Sequence, residues 1–217
     1  SEEAKPFVHM TSTSYDIIDP ANAVRFRDAV VRLLIPTLLE LEKILIQISS
    51  RETDTIQVGR THGQHAVPIT FGFAIAGYVS RLGNSIKMLQ SLAEKLPGKF
   101  SGAVGGYNAS SLFFKDPEIF EAKVLEKLGL MPAEHSTQIV PREPLVRLFS
   151  EVTIVMGILA DLSDDMRHLQ RTEIREVGEK FEKSQVGSST MPQKRNPINF
   201  ENVKGMWKIV VPRMSTI

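Results

Sequence analysis

Three short polar segments hold the side chains best suited to move protons or bind anions. They are VHMTSTSYDIIDP (residues 8–20), GRTHGQHAVPITFG (59–72) and SQVGSSTMPQKRNP (184–197). The second segment places Arg60, His62, Gln64 and His65 within six residues. That density is high for a simple turn, and histidine is the side chain that changes protonation near neutral pH. This segment is therefore the first candidate for acid–base chemistry.

The other two segments are suited to binding anions. The third joins a flexible Gly-Ser-Ser run to Lys194 and Arg195, just before a predicted helix start whose free N–H groups add positive potential. The first offers hydroxyl and amide donors close to another predicted helix start. A structural interpretation stays open for both, because Ser, Thr and Asp also favour turns and helix caps.

Several other kinds of site are excluded by spacing. His62 and His65 have no third ligand at a recognised spacing, and protein zinc sites need three or four side-chain ligands, so we predict no metal site. We also predict no cofactor. The phosphate-binding pattern G-x-x-x-x-G-K-[ST] is absent. The glycine-rich stretch GKFSGAVGGYNASS (98–111) follows no predicted strand, so it does not fit a dinucleotide fingerprint.

Helices must position these segments. Asp19 and Pro20 suggest a helix start, and apolar residues then recur every three or four positions to Ile48, with a kink expected at Pro36. Further helices are predicted from Pro68 to Leu96, from Pro117 to a stop at Gly129, from Pro144 to about Arg175, and after Asn196-Pro197. No run alternates with period two. The predicted fold is all-α, a long antiparallel helical bundle.

Composition narrows the possible partners. The chain has 217 residues, is 42% hydrophobic and carries 26 basic and 25 acidic residues spread along its length, which argues against a nucleic-acid footprint or a membrane-surface helix. No apolar run reaches about 18 residues, the length needed to span a bilayer. The absence of cysteine is compatible with the cytoplasm, where we expect the protein. Long helices with two apolar faces predict self-association.

The three segments resemble those of a known family. GSSTMPQKRNP is similar to the GSSxMPxKxNP signature of the fumarase/aspartase superfamily, and GRTHGQHAVPITFG and TSYD (13–16) resemble its other two shared segments, in the same order. The likeness runs through the whole chain. It implies that residues 1–217 are the central helical-bundle domain of a longer lyase, with the N- and C-terminal domains missing or truncated. We expect this piece alone to be folded, oligomeric and inactive or nearly so.

Within the superfamily, the RTHGQ form is most similar to that of the adenylosuccinate lyases. Argininosuccinate lyases and carboxymuconate cycloisomerases usually carry leucine where Gly63 stands. In the other direction, MPQK is also common in argininosuccinate lyases, and many adenylosuccinate lyases have histidine where Gln193 stands. Both groups therefore remain alternatives. A non-catalytic helical scaffold is the alternative of a different class.

The resemblance implies a reaction and roles for particular residues. These lyases release fumarate from a succinyl adduct by anti elimination of a C–N bond. Ser188 would be the base, carried by a mobile lid that excludes water. His62 would be the acid, His9 would hold the substrate, Lys194 would supply the cation beside Ser188, and Glu201 would orient a histidine. The expected substrate-binding residues are Thr13, Ser14, Gln138, Ser189 and Asn196.

The resemblance also implies a homotetramer. Its active sites would each be composed of segments from three chains, with adenylosuccinate as the small-molecule substrate.

Overall fold

The computed structural model describes residues 2–180 and 187–216, so the first three residues of the segment 184–197 lie outside the described residues. Within the described part, the helices are α1 (Tyr15–Ala29), α2 (Ile35–Arg51), α3 (Phe71–Glu94), α4 (Pro117–Glu126), α5 (Glu143–Leu169) and α6 (Ile198–Val210). The strands are β1 (Ile56–Thr61), β2 (Gln64–Thr70), β3 (Pro97–Gly98) and β4 (Met131–Pro132). The predicted helical fold is confirmed, with two small sheets added to it.

The chain forms two compact units. Unit 1 comprises residues 1–38 and 86–149, and unit 2 comprises residues 39–85 and 150–217. Each has its own apolar core: buried side chains of unit 1 include Ala23, Leu89, Leu125 and Leu148, and those of unit 2 include Leu45, Ile75, Leu82, Val155 and Met166.

The helices of unit 2 run antiparallel, as predicted. For each neighbouring pair, contacting residues advance along one helix while they retreat along the other. These pairs are Glu42–Gly83 and Ser49–Gly72 between α2 and α3, Tyr78–Asp165 and Arg81–Asp161 between α3 and α5, and Gly157–Trp207 and Asp164–Lys204 between α5 and α6. Small residues contribute to close packing, because a Cβ atom on Gly72 would lie 2.4 Å from the carbonyl oxygen of Ser49.

The first helix begins earlier than its sequence suggests. α1 starts at Tyr15, so the prediction that Asp19 caps the helix is wrong. Asp19 is 3% exposed, and its carboxylate accepts hydrogen bonds from the backbone N–H of Val140 (2.8 Å) and from Arg142 (3.1 Å). The local sequence pattern suggested a helix cap, whereas the Asp19 side chain binds the loop at Val140 and Arg142, more than a hundred residues away.

The expected interruption near Pro36 takes the form of a π-helical turn. Residues Val30–Leu34 form this turn between α1 and α2, and the N–H of Ile35 donates to the carbonyl of Val30, five residues earlier. Proline has no N–H to continue the ordinary ladder, and its ring crowds the preceding turn, which accounts for a local widening here.

The short helix α4 ends just before Gly129, as the position of this glycine in the sequence predicts. Gly129 has φ +64°, the left-handed conformation that commonly terminates helices. The guanidinium of Arg27 donates to the carbonyl oxygens of Leu128 (2.9 Å) and Gly129 (2.8 Å). A cation at this position also complements the negative end of the helix dipole.

An ion pair lies at the centre of unit 1. Asp16 and Lys99 both have fully buried side chains, and the ammonium of Lys99 donates to Oδ1 of Asp16. The same oxygen accepts from the backbone N–H groups of Ser101 (3.1 Å) and Gly102 (3.3 Å), while Oδ2 accepts from that of Thr13 (2.8 Å). One carboxylate thus holds the start of α1, the loop before it and the glycine-rich stretch.

Removing the ammonium should be costly. We expect Lys99→Met to lower the free energy of unfolding by about 3–5 kcal/mol, because the Asp16 charge would stay buried without its partner. Urea unfolding followed by circular dichroism measures the change. The control is Arg81→Met, which breaks an ion pair whose side chains are 47% and 57% exposed and should cost less than about 1 kcal/mol. Equal losses in the two variants would contradict a central role for the buried pair.

Candidate active site

His62 lies at the tip of a β-hairpin. β1 and β2 pair antiparallel, with Thr61 opposite Gln64, so His62 and Gly63 form a two-residue turn. Both have positive φ (55° and 72°), as a type I′ turn requires. The prediction of a helix from Pro68 is wrong, because residues 64–70 form a strand and α3 begins at Phe71. The His-Gly pair was the available hairpin signal, but the flanking runs lack clear alternation.

A bulge in the hairpin explains one of its glycines. Val58 pairs with Pro68 and Arg60 with His65, so Gly59 faces two residues of β2. A Cβ atom on Gly59 would lie 2.7 Å from the carbonyl oxygen of Val67, too close for any other residue without a backbone shift. The extra residue increases local twist and redirects the side chains near the tip.

Arg60 and Glu176 form an ion pair at the base of the hairpin. The guanidinium donates to both carboxylate oxygens of Glu176 (2.5 and 3.0 Å), and Nε2 of Gln57 donates to one of them at 3.0 Å. The hydrogen bonds between Arg60 and Glu176 lower the pKa of Glu176 and raise that of Arg60. Glu176 could not be identified as a site residue from the sequence, because its partner Arg60 is 116 residues away and no local pattern links the two.

A cleft of about 510 Å³ borders the hairpin within unit 2, and its lining includes Arg60, Gly63, Tyr78, Asp165 and His168. The hydroxyl of Tyr78 donates to Asp165 at 2.5 Å. Burial, together with this contact, raises the pKa of Tyr78, so the phenol stays protonated at neutral pH. The sequence singled out neither Tyr78 nor Asp165.

The hydroxyl of Ser188 accepts two backbone hydrogen bonds. The N–H groups of Thr190 (3.4 Å) and Met191 (3.2 Å) both point at its Oγ. Donors aimed at an oxygen favour its charged form, so this geometry would stabilise a developing alkoxide. The exposed ammonium of Lys194 makes no ion pair within residues 2–180 and 187–216, although its backbone N–H donates to the carbonyl of Met191 at 3.0 Å.

The start of α6 is capped from a distance. Pro197 occupies the N-cap position without a side-chain cap, and the amide of Asn196 donates instead to the carbonyl of Gly187 at 3.5 Å. The carboxylate of Glu179 accepts from the backbone N–H groups of Asn199 (3.4 Å) and Phe200 (3.1 Å) and from the side-chain amide of Asn199 (2.9 Å). The predicted boundary is correct to within a residue, but the acceptor is Glu179.

The residues expected to bind substrate in unit 1 lie on loops held by buried acids. Asp16 fixes the backbone of Thr13 next to the exposed Ser14, and Asp19 fixes that of Val140, two residues after the exposed Gln138. His9 has φ +70°, and its Nδ1 lies 3.1 Å from the hydroxyl of Ser12. Both acids were missed as positioning groups, because their partners are distant in sequence.

The ten predicted site residues are divided between the two units. Unit 1 contains His9, Thr13, Ser14 and Gln138, and unit 2 contains His62, Ser188, Ser189, Lys194, Asn196 and Glu201. In unit 2, Ser188 and Asn196 share one loop, and the exposed Glu201 lies in the first turn of α6. No hydrogen bond joins His62 to Ser188 in the part of the chain that the structure describes.

The described residues lack two kinds of feature. They contain no group of three or more His, Cys, Asp or Glu residues placed to hold a metal ion. None of their helices combines the length and apolar character needed to cross a membrane.

Comparisons with known proteins agree on one family. A family model described as Lyase matches residues 1–211. Adenylosuccinate lyase of Pyrococcus abyssi is 43% identical over 205 residues, covering 94% of this chain and 45% of that protein, and the Thermotoga maritima enzyme is 38% identical over 209 residues, covering 96% and 47%. The solved structure of 3-carboxy-cis,cis-muconate lactonizing enzyme from Pseudomonas putida matches with a TM-score of 0.82 and 34% identity, over 99% of this chain and 47% of that one. The chain therefore spans about half the length of the relatives it matches.

The ion pair at the base of the hairpin should make stability depend on pH. Because the pKa of Glu176 is lower in the folded protein than its ordinary 4.5, its stabilisation is complete above about pH 4.5 and is lost as the pH falls through the folded-state pKa. We expect Glu176→Gln to cost about 1–3 kcal/mol at pH 7 and progressively less below pH 4.5.

Chemical unfolding of both proteins across this pH range measures the difference. Glu40→Gln, at an exposed position of α2, serves as the control and should cost little at any pH. A difference between wild type and Glu176→Gln that stayed constant with pH would show that the carboxylate charge contributes nothing.

Proposed function

We propose that this chain, which belongs to the lyase family of the fumarase/aspartase superfamily, is the central helical domain of a lyase that releases fumarate from adenylosuccinate. The observation that carries the proposal is the Ser188 hydroxyl in its signature loop, where two backbone N–H groups are aimed at the oxygen that would become the base. The choice of substrate is supported by the RTHGQ segment and by relatives named adenylosuccinate lyase. The succinylated carboxamide intermediate of purine synthesis is proposed as a second substrate.

Proton abstraction is the demanding step. A carbon next to a carboxylate is a weak acid, and a serine hydroxyl becomes a competent base only if its oxyanion is stabilised. The N–H groups of Thr190 and Met191 supply part of that stabilisation. Lys194 would supply a positive charge once substrate is enclosed. Ser188, as the alkoxide, would accept the proton and become the neutral hydroxyl, while the electron pair of the C–H bond moves into the neighbouring carboxylate and gives a doubly charged aci-carboxylate.

His62 completes the elimination as the acid. As the C–N bond breaks, its imidazolium would give a proton to the departing nitrogen, so that fumarate and the nucleotide amine leave as separate products. Its position at the tip of a rigid hairpin suits this role, because the type I′ turn fixes the backbone while the exposed ring remains free to meet a substrate. Glu201 would orient a histidine.

The remaining residues would bind the substrate. His9 would hold the succinyl group in place. Hydroxyl and amide donors would bind its carboxylates, the phosphate and the base; these are Thr13, Ser14, Gln138, Ser189 and Asn196.

We further propose a cytoplasmic homotetramer in which each active site combines segments of three chains. Exposed apolar side chains on the helices of unit 2 support self-association, since water-facing side chains of this size favour burial at an interface. They include Ile44, Ile46, Phe73, Ile154, Met206 and Ile209.

Turnover of adenylosuccinate by the full-length protein tests the proposal, with the loss of absorbance as the signal. We expect Ser188→Ala and His62→Asn each to lower kcat by about 10²–10⁴-fold, the usual contribution of a positioned acid or base. Asparagine is chosen at position 62 because it tolerates the left-handed conformation of the turn. The control is Ser80→Ala, at an exposed serine of α3, which should leave kcat unchanged.

Other outcomes separate the alternatives. Turnover of argininosuccinate but not adenylosuccinate would reassign the protein to that sister enzyme, and turnover of carboxymuconate would assign it to the class of its structural neighbour. Failure with all three substrates would favour the non-catalytic scaffold. Full activity of Ser188→Ala would require a different base.

A further inference from the structure

The short stretch from Glu176 to Glu179 contacts both elements that carry the proposed acid and base. Glu176 binds β1, the first strand of the His62 hairpin, through Arg60 and Gln57. Glu179 binds the start of α6, which directly follows the Ser188 loop. The proposed chemistry gives neither acid a role.

The first contact has the geometry of a specific pair. The guanidinium of Arg60 approaches both oxygens of Glu176 end on, through Nη1 and Nη2, and a third donation from Nη1 to the carbonyl of Val58 (3.2 Å) keeps the arginine along β1. The side chains of Arg60 and Glu176 are only 21% and 24% exposed. Gln57 is 7% exposed, and its side-chain amide donates a hydrogen bond to the same carboxylate. A bidentate ion pair of this kind fixes the relative orientation of Arg60 and Glu176 as well as the distance between them.

The second contact holds the end of the Ser188 loop (residues 187–197) that joins α6. The carboxylate of Glu179 accepts from the first turn of α6, where backbone N–H groups lack helical partners. Its backbone N–H in turn donates to Oε1 of Gln170 (3.0 Å), whose Nε2 donates to the carbonyl of Arg195 (3.3 Å). The contacts of Glu179 and Gln170 therefore hold the C-terminal end of the Ser188 loop, where it joins α6.

The stretch from Glu176 to Glu179 lines an open cleft of unit 2. The cleft has a volume of about 700 Å³, and its wall also includes Leu45, Phe71 and Phe200. Between the two acids stand only Val177 and Gly178. The stretch faces this open cleft on one side, and its hydrogen bonds to β1, Gln170 and α6 hold it in place.

We infer that residues 176–179 form a tether that positions the stem of the Ser188 loop against the His62 hairpin. The inference rests on the proposed function for its catalytic consequence. The two acids are three peptide units apart, so their Cα atoms can be at most about 11 Å from each other. Because this connection is short, a displacement of the hairpin base would also displace the start of α6. Arg60, Glu176 and Glu179 are positioning residues, since they would act through His62 and Ser188.

In the proposed tetramer, the tether would connect two different active sites. If each site draws its segments from three chains, the hairpin and the Ser188 loop of one chain serve different sites. The tether then connects the acid of one site to the base of a neighbouring site, rather than spanning a single site.

Hydrogen–deuterium exchange and steady-state kinetics on the full-length protein test the inference together. The variants are Arg60→Gln, Glu176→Gln and the double substitution, with Arg81→Gln as a matched control in an exposed ion pair of the same unit. We expect each single variant to increase deuterium uptake in peptides covering residues 187–197 and to lower kcat about 10–100-fold, with KM changed less than about threefold. The double variant should be no worse than either single variant, because both remove the same contact.

A purely structural ion pair would behave differently. It would lower the melting temperature while leaving the uptake of residues 187–197 and kcat at control values, and that result would overturn the tether. Glu179→Ala provides a second route, since it removes the α6 contact and leaves the Arg60 pair intact; it too should raise uptake in residues 187–197.

The exchange measurement keeps the two proposals separate. Raised uptake in a protein that turns over no adenylosuccinate would support the tether and reject the proposed function. Normal uptake and normal kcat in all the variants of an active enzyme would reject the tether alone.

Discussion

Backbone N–H groups in irregular loops need acceptors, and in this protein buried or half-buried carboxylates supply them. Long helices satisfy their own backbones, but the loops between them cannot, and an unpaired buried N–H costs about as much as a lost hydrogen bond. Asp16 serves the Thr13 loop and the glycine-rich stretch, Asp19 serves the loop that carries Gln138, and Glu179 serves the start of α6. The positions of the polar loops follow from this requirement.

The cost of such an arrangement explains its form. A carboxylate withdrawn from water is tolerated only when charges or several donors compensate it. Asp16 meets this condition with Lys99 and three backbone N–H groups, and Glu176 meets it with Arg60 and Gln57. Each of these two acids therefore combines a cationic partner with further hydrogen-bond donors. That combination makes the loops rigid at their bases while their central residues stay exposed.

Rigid bases with exposed tips suit the proposed elimination. His62 stands on a two-residue turn whose dihedral angles are narrowly limited, and Ser188 sits in a loop whose C-terminal end is held by Glu179 and Gln170. Reacting groups held in this way lose little freedom when substrate binds, which is how a site gains rate from orientation. The apolar faces left exposed on unit 2 would then serve assembly.

The sequence by itself determined the helical character, the starts of α4, α5 and α6 to within one residue, and the order of the three polar segments, because apolar periodicity, proline, glycine and motif spacing are local signals. It misplaced the start of α1 and missed the β1–β2 hairpin. A buried acid resembles a helix cap until its partner is known, and a strand with weak alternation gains its hydrogen bonds only from its neighbour. Only the tertiary structure decided the partners of Asp16, Asp19 and Glu176, which lie 83 to 123 residues away. The residue type determines the chemistry of a carboxylate, but its partners are the side chains and backbone amides that folding brings within hydrogen-bonding distance.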